Sequence, residues 1–230
     1  AEINSVAFSR IHWKHLHKAG EYKGVKLLGV FTHGPGQMFL VKKPVNSVAD
    51  IAGMKIRSGG GISEASAKAL GASPLVKPAP ESYEILASGV ADGTFFPSES
   101  IRSFNLDKVV KHATIFPGGF YSSAFGFFMN EEKWNKLSKQ DQDAINSVSG
   151  EALARLAGKA WDAADKGGME ALKAAGVNIQ QASPAFIAEV RSRTEPLANN
   201  WIQAANAKGL DGAKVLAEFR EELKRVAEGK

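Results

Sequence analysis

The sequence predicts an α/β fold. Strand and helix signals alternate from Gly24 to Phe104, glycines and prolines punctuate them at short intervals, and the stretch after Ser138 carries apolar residues three and four apart. This alternation points to βαβ units and a largely parallel sheet, followed by a helical C-terminal third.

The elements follow in order. Ser9 to Lys18 reads as a short helix ending at Gly20, and Gly24 to Phe31 as a buried strand. Ser47 is placed to cap a helix through Val48, Ala49 and Ile51, which Gly53 ends. Met54 to Arg57 alternates as a strand, and Ser58, Gly59, Gly60 and Gly61 lead into a helix from Ile62 to Leu70. Leu75 and Val76 form a short strand, Pro80 opens a helix that ends at Gly89, and Val90 to Pro97 precedes helix signals from Ser98 to Phe104. Ser138 and Asp141 make a capping pair before a stripe of Ile145, Val148, Ala152, Leu156 and Ala160. Carried on to Gly176, that stripe predicts a helix of roughly 50 Å, which Gly167 and Gly168 are placed to kink. Val177 to Gln180 is a short strand, Ser183 and Pro184 restart a helix, Pro196 breaks it, and Asp211 caps a last helix to Ala227.

Composition removes several function classes. With 44% hydrophobic and 23% charged residues, the 230-residue chain reads as an ordinary globular protein of one large domain or two lobes. It has no apolar run near the roughly 20 residues of a membrane-spanning helix. The absence of cysteine excludes disulfides, thiolate chemistry and cysteine-ligated metal. The net charge of +5 raises the question of nucleic acid, but the lysines are scattered and paired with acids, as in Glu221, Glu222, Lys224 and Arg225, so no nucleic-acid partner is expected. His12, His15 and His17 have no carboxylate at metal-ligand spacing and read as structural or surface residues; no metal and no cofactor is expected. No Gly-x-Ser-x-Gly elbow, phosphate loop or dinucleotide fingerprint is present.

The chemistry that remains centres on Arg57. It closes a strand, and three glycines and a helix start follow at once. Glycines let a ligand reach backbone N–H groups, the helix start adds partial positive charge, and the guanidinium offers a planar fork for a carboxylate. Arg57 and the N–H groups from Ser58 to Gly60 therefore form a candidate anion site.

An ordered set of motifs carries a family resemblance. Pro44 to Arg57, then Leu70-Gly71-Ala72-Ser73-Pro74, Tyr83 to Pro97 with Val90-Ala91-Asp92-Gly93, Met129 to Gln142, and Leu172 to Val177 together resemble the DctP-type solute-binding proteins of TRAP transporters. The resemblance implies a type II periplasmic-binding fold: two lobes and a long C-terminal helix that spans them. The division it implies is 1–40 with 117–137 for lobe one, 41–116 for lobe two, and 138–230 for the spanning helix and the C-terminal helices. It also implies a periplasmic protein that captures an organic acid, closes around crossing segments near Val41 and Ile115, and delivers the acid to membrane permease subunits. On this resemblance Arg57 pairs with the substrate carboxylate, Gln37 is a second pocket group and Gly60 lines the pocket.

Two departures shape the expected ligand and assembly. Where many members have Gln-x-Asn-Pro, this chain has Thr94-Phe95-Phe96-Pro97, so Phe96 replaces an amide; with Tyr121 it gives an apolar wall suited to a hydrophobic or aromatic carboxylate. No counterpart of the family's opening βαβ segment lies ahead of Ala1, so lobe one is expected to be incomplete, and its open sheet edge favours association with a second copy. The competing reading is an α/β enzyme that acts on an anionic small molecule through the same Arg57 pocket.

Overall fold

A computed structural model describes all 230 residues. In chain order the elements are α1 (Glu2–Lys14), β1 (Val25–Thr32), β2 (Gly36–Leu40), α2 (Val48–Ile51), β3 (Lys55–Ser58), α3 (Gly61–Ala69), β4 (Ser73–Val76), α4 (Ser82–Ala87), β5 (Gly93–Pro97), α5 (Glu99–Ser103) and β6 (His112–Ile115). The second half holds β7 (Ala124–Asn130), α6 (Glu131–Asn135), α7 (Lys139–Ser147), α8 (Glu151–Ala174), β8 (Asn178–Gln181), α9 (Pro184–Thr194), α10 (Pro196–Ala207) and α11 (Gly212–Ala227). The chain divides into two compact units. Unit 1 comprises 1–33, 124–162 and 199–230, and unit 2 comprises 34–123 and 163–198. The expected boundary after residue 40 falls instead after His33, because β2 is an interior strand of the unit 2 sheet.

Unit 2 is built on a six-stranded sheet in the order β4-β3-β5-β2-β6-β8. The βαβ units foreseen around α3 are there, since β3 pairs in parallel with both β4 and β5. The sheet is nevertheless mixed and not largely parallel: β2 runs antiparallel to β5 on one side and to β6 on the other. Strand β2 escaped the sequence reading because all five of its residues are buried, leaving no apolar–polar alternation to see. Successive side chains point to opposite faces. Met38, Leu40, Ile56 and Phe95 accordingly enter one core cluster with Phe186, while Phe39 and Phe96 enter a second with Leu86, Ile101 and Leu172.

Unit 1 pairs β1 with β7 in a two-stranded antiparallel ladder, and α1 packs against β1 and α11. Ser5 links α1 to β1 through its hydroxyl, which accepts from Thr32 N at 3.0 Å and donates to Thr32 O at 3.2 Å. Val6, Ala7 and Val226 are buried together, with Phe219 and Leu223 packed on them. The single long helix foreseen from Ser138 is two helices. Gly150, at φ +62°, takes a left-handed turn between α7 and α8 and donates its N–H to Leu28 O at 2.7 Å. Helix α8 then runs 24 residues, about 36 Å, without a break at Gly167 or Gly168. Its first half belongs to unit 1 and its second half to unit 2.

Candidate functional site

The local code around β3 and α3 forms as the sequence predicts. Ser47 and Asp50 make a reciprocal capping box on α2, which ends just before β3. Strand β3 delivers Arg57 between Leu75 of β4 and Thr94 of β5, and Thr94 Oγ1 donates to Arg57 O at 3.2 Å. Gly60 occupies the N-cap of α3 and supplies no capping side chain, so the first-turn N–H groups of that helix keep their donor capacity.

Arg57 is 1% exposed, and of all the lysines and arginines it alone is buried. Its guanidinium is fixed on two sides. The Lys77 carbonyl accepts from Nε at 3.0 Å and from Nη2 at 2.6 Å, and the Phe96 ring lies under the guanidinium carbon at 4.1 Å. Nη1 is left buried without a hydrogen-bond partner. Burial, opposed weakly by Tyr121 and Glu81, pushes the guanidinium down to about 10, still fully charged at neutral pH. A charged, oriented group with one unused donor is what an anionic ligand would satisfy.

The other expected residues sort by face. Phe96 is cross-strand neighbour to Gln37 and stacks on Phe104 with centroids 5.8 Å apart, so Arg57, Phe96 and Gln37 share one face of the sheet. Gln37 turns its amide to the backbone of Phe116: Nε2 donates to the carbonyl at 3.2 Å and Oε1 accepts from the N–H at 2.7 Å. Ser58 points to the opposite face, is wholly buried, and its Oγ has no partner. Tyr121 packs beside that face with Phe120, held by Gly36, whose N–H donates to Tyr121 O at 2.9 Å. Burial pushes the Tyr121 phenol up to about 12, against the pull of Ser63 and of Arg57. That mutual influence places Tyr121 within electrostatic reach of Arg57 even though the two start on opposite faces.

The clustered histidines have separate roles. His12 is buried edge-on against Trp13 and Tyr22, and His15 pairs with Glu218 at 2.7 Å. No group of three His, Asp or Glu side chains is arranged to hold a metal ion, and no helix is long and apolar enough to cross a membrane.

The sequence profile of DctP, the bacterial extracellular solute-binding protein family 7, matches residues 3–204. The chain belongs to this family. This family 7 chain is similar to a TRAP periplasmic solute-binding protein of Bordetella bronchiseptica, solved with (R)- and (S)-mandelate bound. The TM-score is 0.95 and the identity 49%, over 98% of this chain and 72% of that one. It also resembles a TRAP solute-binding protein from a marine metagenome, specific for aromatic acid ligands and solved with 3-hydroxybenzoate. There the TM-score is 0.90 at 33% identity, over 98% of this chain and 70% of that one. Among curated proteins, the outer membrane transporter protein TsaT of Comamonas testosteroni is 30% identical across 96% of this chain. The chain spans 65% of the length of TsaT. The mixed-sheet α/β architecture is thus that of the TRAP solute-binding proteins, the type II periplasmic-binding fold.

Three features of the site were not visible in the sequence: the Lys77 carbonyl on Arg57, the closure of Gln37 on Phe116, and Ser63 beside Tyr121. Only the last left a trace, as the third residue of a glycine-capped helix.

Proposed function

We propose that this chain is the binding component of a TRAP-type transport system: in the periplasm it captures an organic acid with a hydrophobic or aromatic body and hands it to membrane permease subunits. The observation that carries the reading is Arg57, buried, clamped by the Lys77 carbonyl, seated on the Phe96 ring and retaining an unpartnered Nη1. The carboxylate docks on Nη1 and on the N–H groups from Ser58 to Gly60 at the start of α3, with Phe96 and Tyr121 as apolar walls and Gln37 holding β2 to Phe116 from behind. The relatives that bind mandelate and 3-hydroxybenzoate support an aromatic acid, as does Phe96 standing where many members carry an amide. The family is one of solute-binding proteins, and in this reading the chain does no chemistry on what it holds.

Native mass spectrometry of the purified chain, with calorimetry against aromatic and aliphatic carboxylates, tests the proposal. Removing one partner of a buried charge pair leaves the other unpaired, so Arg57→Ala is expected to weaken binding by about 2–5 kcal/mol. Unchanged affinity in that variant would place the site elsewhere. Turnover of a bound acid would favour an enzyme instead.

A further inference from the structure

Ser63 is the third residue of α3, 3% exposed, and its Oγ meets no partner at hydrogen-bonding geometry. It nevertheless lies close enough to the Tyr121 phenol to favour that group's ionised form. The guanidinium of Arg57 runs past Gly59 just ahead of the same helix start, since a β-carbon at Gly59 would sit 3.8 Å from Nη2. Two buried donors without partners, Arg57 Nη1 and Ser63 Oγ, therefore flank an uncapped helix N-terminus. Buried polar atoms are paired as a rule, and a two-oxygen anion would pair both of these at once. The charge available is also limited. No other lysine or arginine is buried, and the surroundings of Arg57 and Tyr121 are Phe95, Phe96 and Phe120. A second carboxylate carried into these surroundings would be desolvated with no cation to meet it.

Resting on the proposed role of Arg57, we infer that the ligand is a monocarboxylate whose carboxylate bridges Arg57 Nη1 and the Ser63 hydroxyl at the start of α3. Ser63 is then a ligand-touching specificity residue, and an acid with two carboxylates is discriminated against.

Calorimetry of the 230-residue chain with benzoate and with isophthalate, its dicarboxylate counterpart, tests both halves. Wild type is expected to bind benzoate at least about tenfold more tightly than isophthalate, the cost of one unpaired polar group. Ser63→Ala should weaken benzoate by about tenfold to a hundredfold, the range for a hydrogen bond to a charged acceptor, with an unchanged ligand-free melting temperature. Ser82→Ala, which removes another buried hydroxyl without a partner, should bind as wild type does. Isophthalate bound as tightly as benzoate would overturn the monocarboxylate assignment. If Arg57→Ala abolishes binding while Ser63→Ala binds like wild type, the bridge is overturned and the Arg57 site stands. Failure of wild type to bind either acid, or indifference to Arg57→Ala, would overturn the underlying site as well.

Discussion

Arg57 and Gln37 are both buried polar side chains on one sheet face, yet they do opposite things for the molecule. Arg57 is charged, stripped of water and left with an unused donor, so it costs the ligand-free protein stability. Arg57→Met is expected to leave the folding free energy unchanged or higher in urea titrations while removing carboxylate binding. Gln37 is neutral and paired through both amide atoms, and Gln37→Leu strands the N–H of Phe116, whose carbonyl keeps the Gly119 N–H at 2.8 Å. That substitution should lower stability by about 1–3 kcal/mol, the cost of the one stranded N–H, read from the same titrations. The sequence made Arg57 conspicuous, because an arginine before three glycines is a local pattern. The duty of Gln37 was unreadable, since its partner lies 79 positions away and is a backbone that any residue would supply.

The glycine pair in α8 illustrates why elements were readable in outline and misjudged in detail. Adjacent glycines inside a helix suggest a kink from sequence alone, but α8 is continuous and the two serve different ends. A β-carbon at Gly168 would fall 1.8 Å from Ser98 O, so this glycine lets α8 settle onto the start of α5, where Asp165 accepts from Glu99 N at 2.8 Å. At Gly167 the nearest obstacle is the end of the Arg102 side chain, 3.4 Å away. Gly168→Ala should therefore destabilise by about 1–3 kcal/mol or more, because rigid backbone has to move. Gly167→Ala should stabilise by about 0.5–1 kcal/mol through helix propensity. Thermal unfolding of the two variants side by side checks the contrast, and equal effects would refute it. The capped helices α2, α9 and α11 were foreseen because Ser47, Ser183 and Asp211 act within three residues of themselves. The antiparallel placement of β2 depends on partners at 93–97 and 112–114, beyond the reach of any local pattern.

At the scale of the whole molecule, the ion pairs of unit 1 set how the protein meets acid. Arg10 and Arg155 hold the Glu151 carboxyl below its usual value, and Lys14 and His15 hold Glu218 down to about 2. Depressed carboxylates contribute stability that is fully present above about pH 4.5 and is lost as pH falls toward 2. His12 acts earlier: burial lowers its pKa from 6.5, so the unfolded chain takes up the proton first and stability declines as pH drops below that value. Calorimetric melting temperatures are thus expected to start falling near pH 6.5 and to fall more steeply below 4.5. Glu218→Gln should flatten the lower stretch, and so should high salt, because these pairs are partly exposed and screened; the His12 portion, a matter of desolvation, should persist. The division of the chain has a further consequence, in the order of folding. Unit 2 draws on two stretches, 34–123 and 163–198, whereas unit 1 must bring 199–230 back onto 1–33 across everything that lies between. The inner unit closes the shorter loops and is expected to fold first, and α1 meets α11 only when a much longer closure is made.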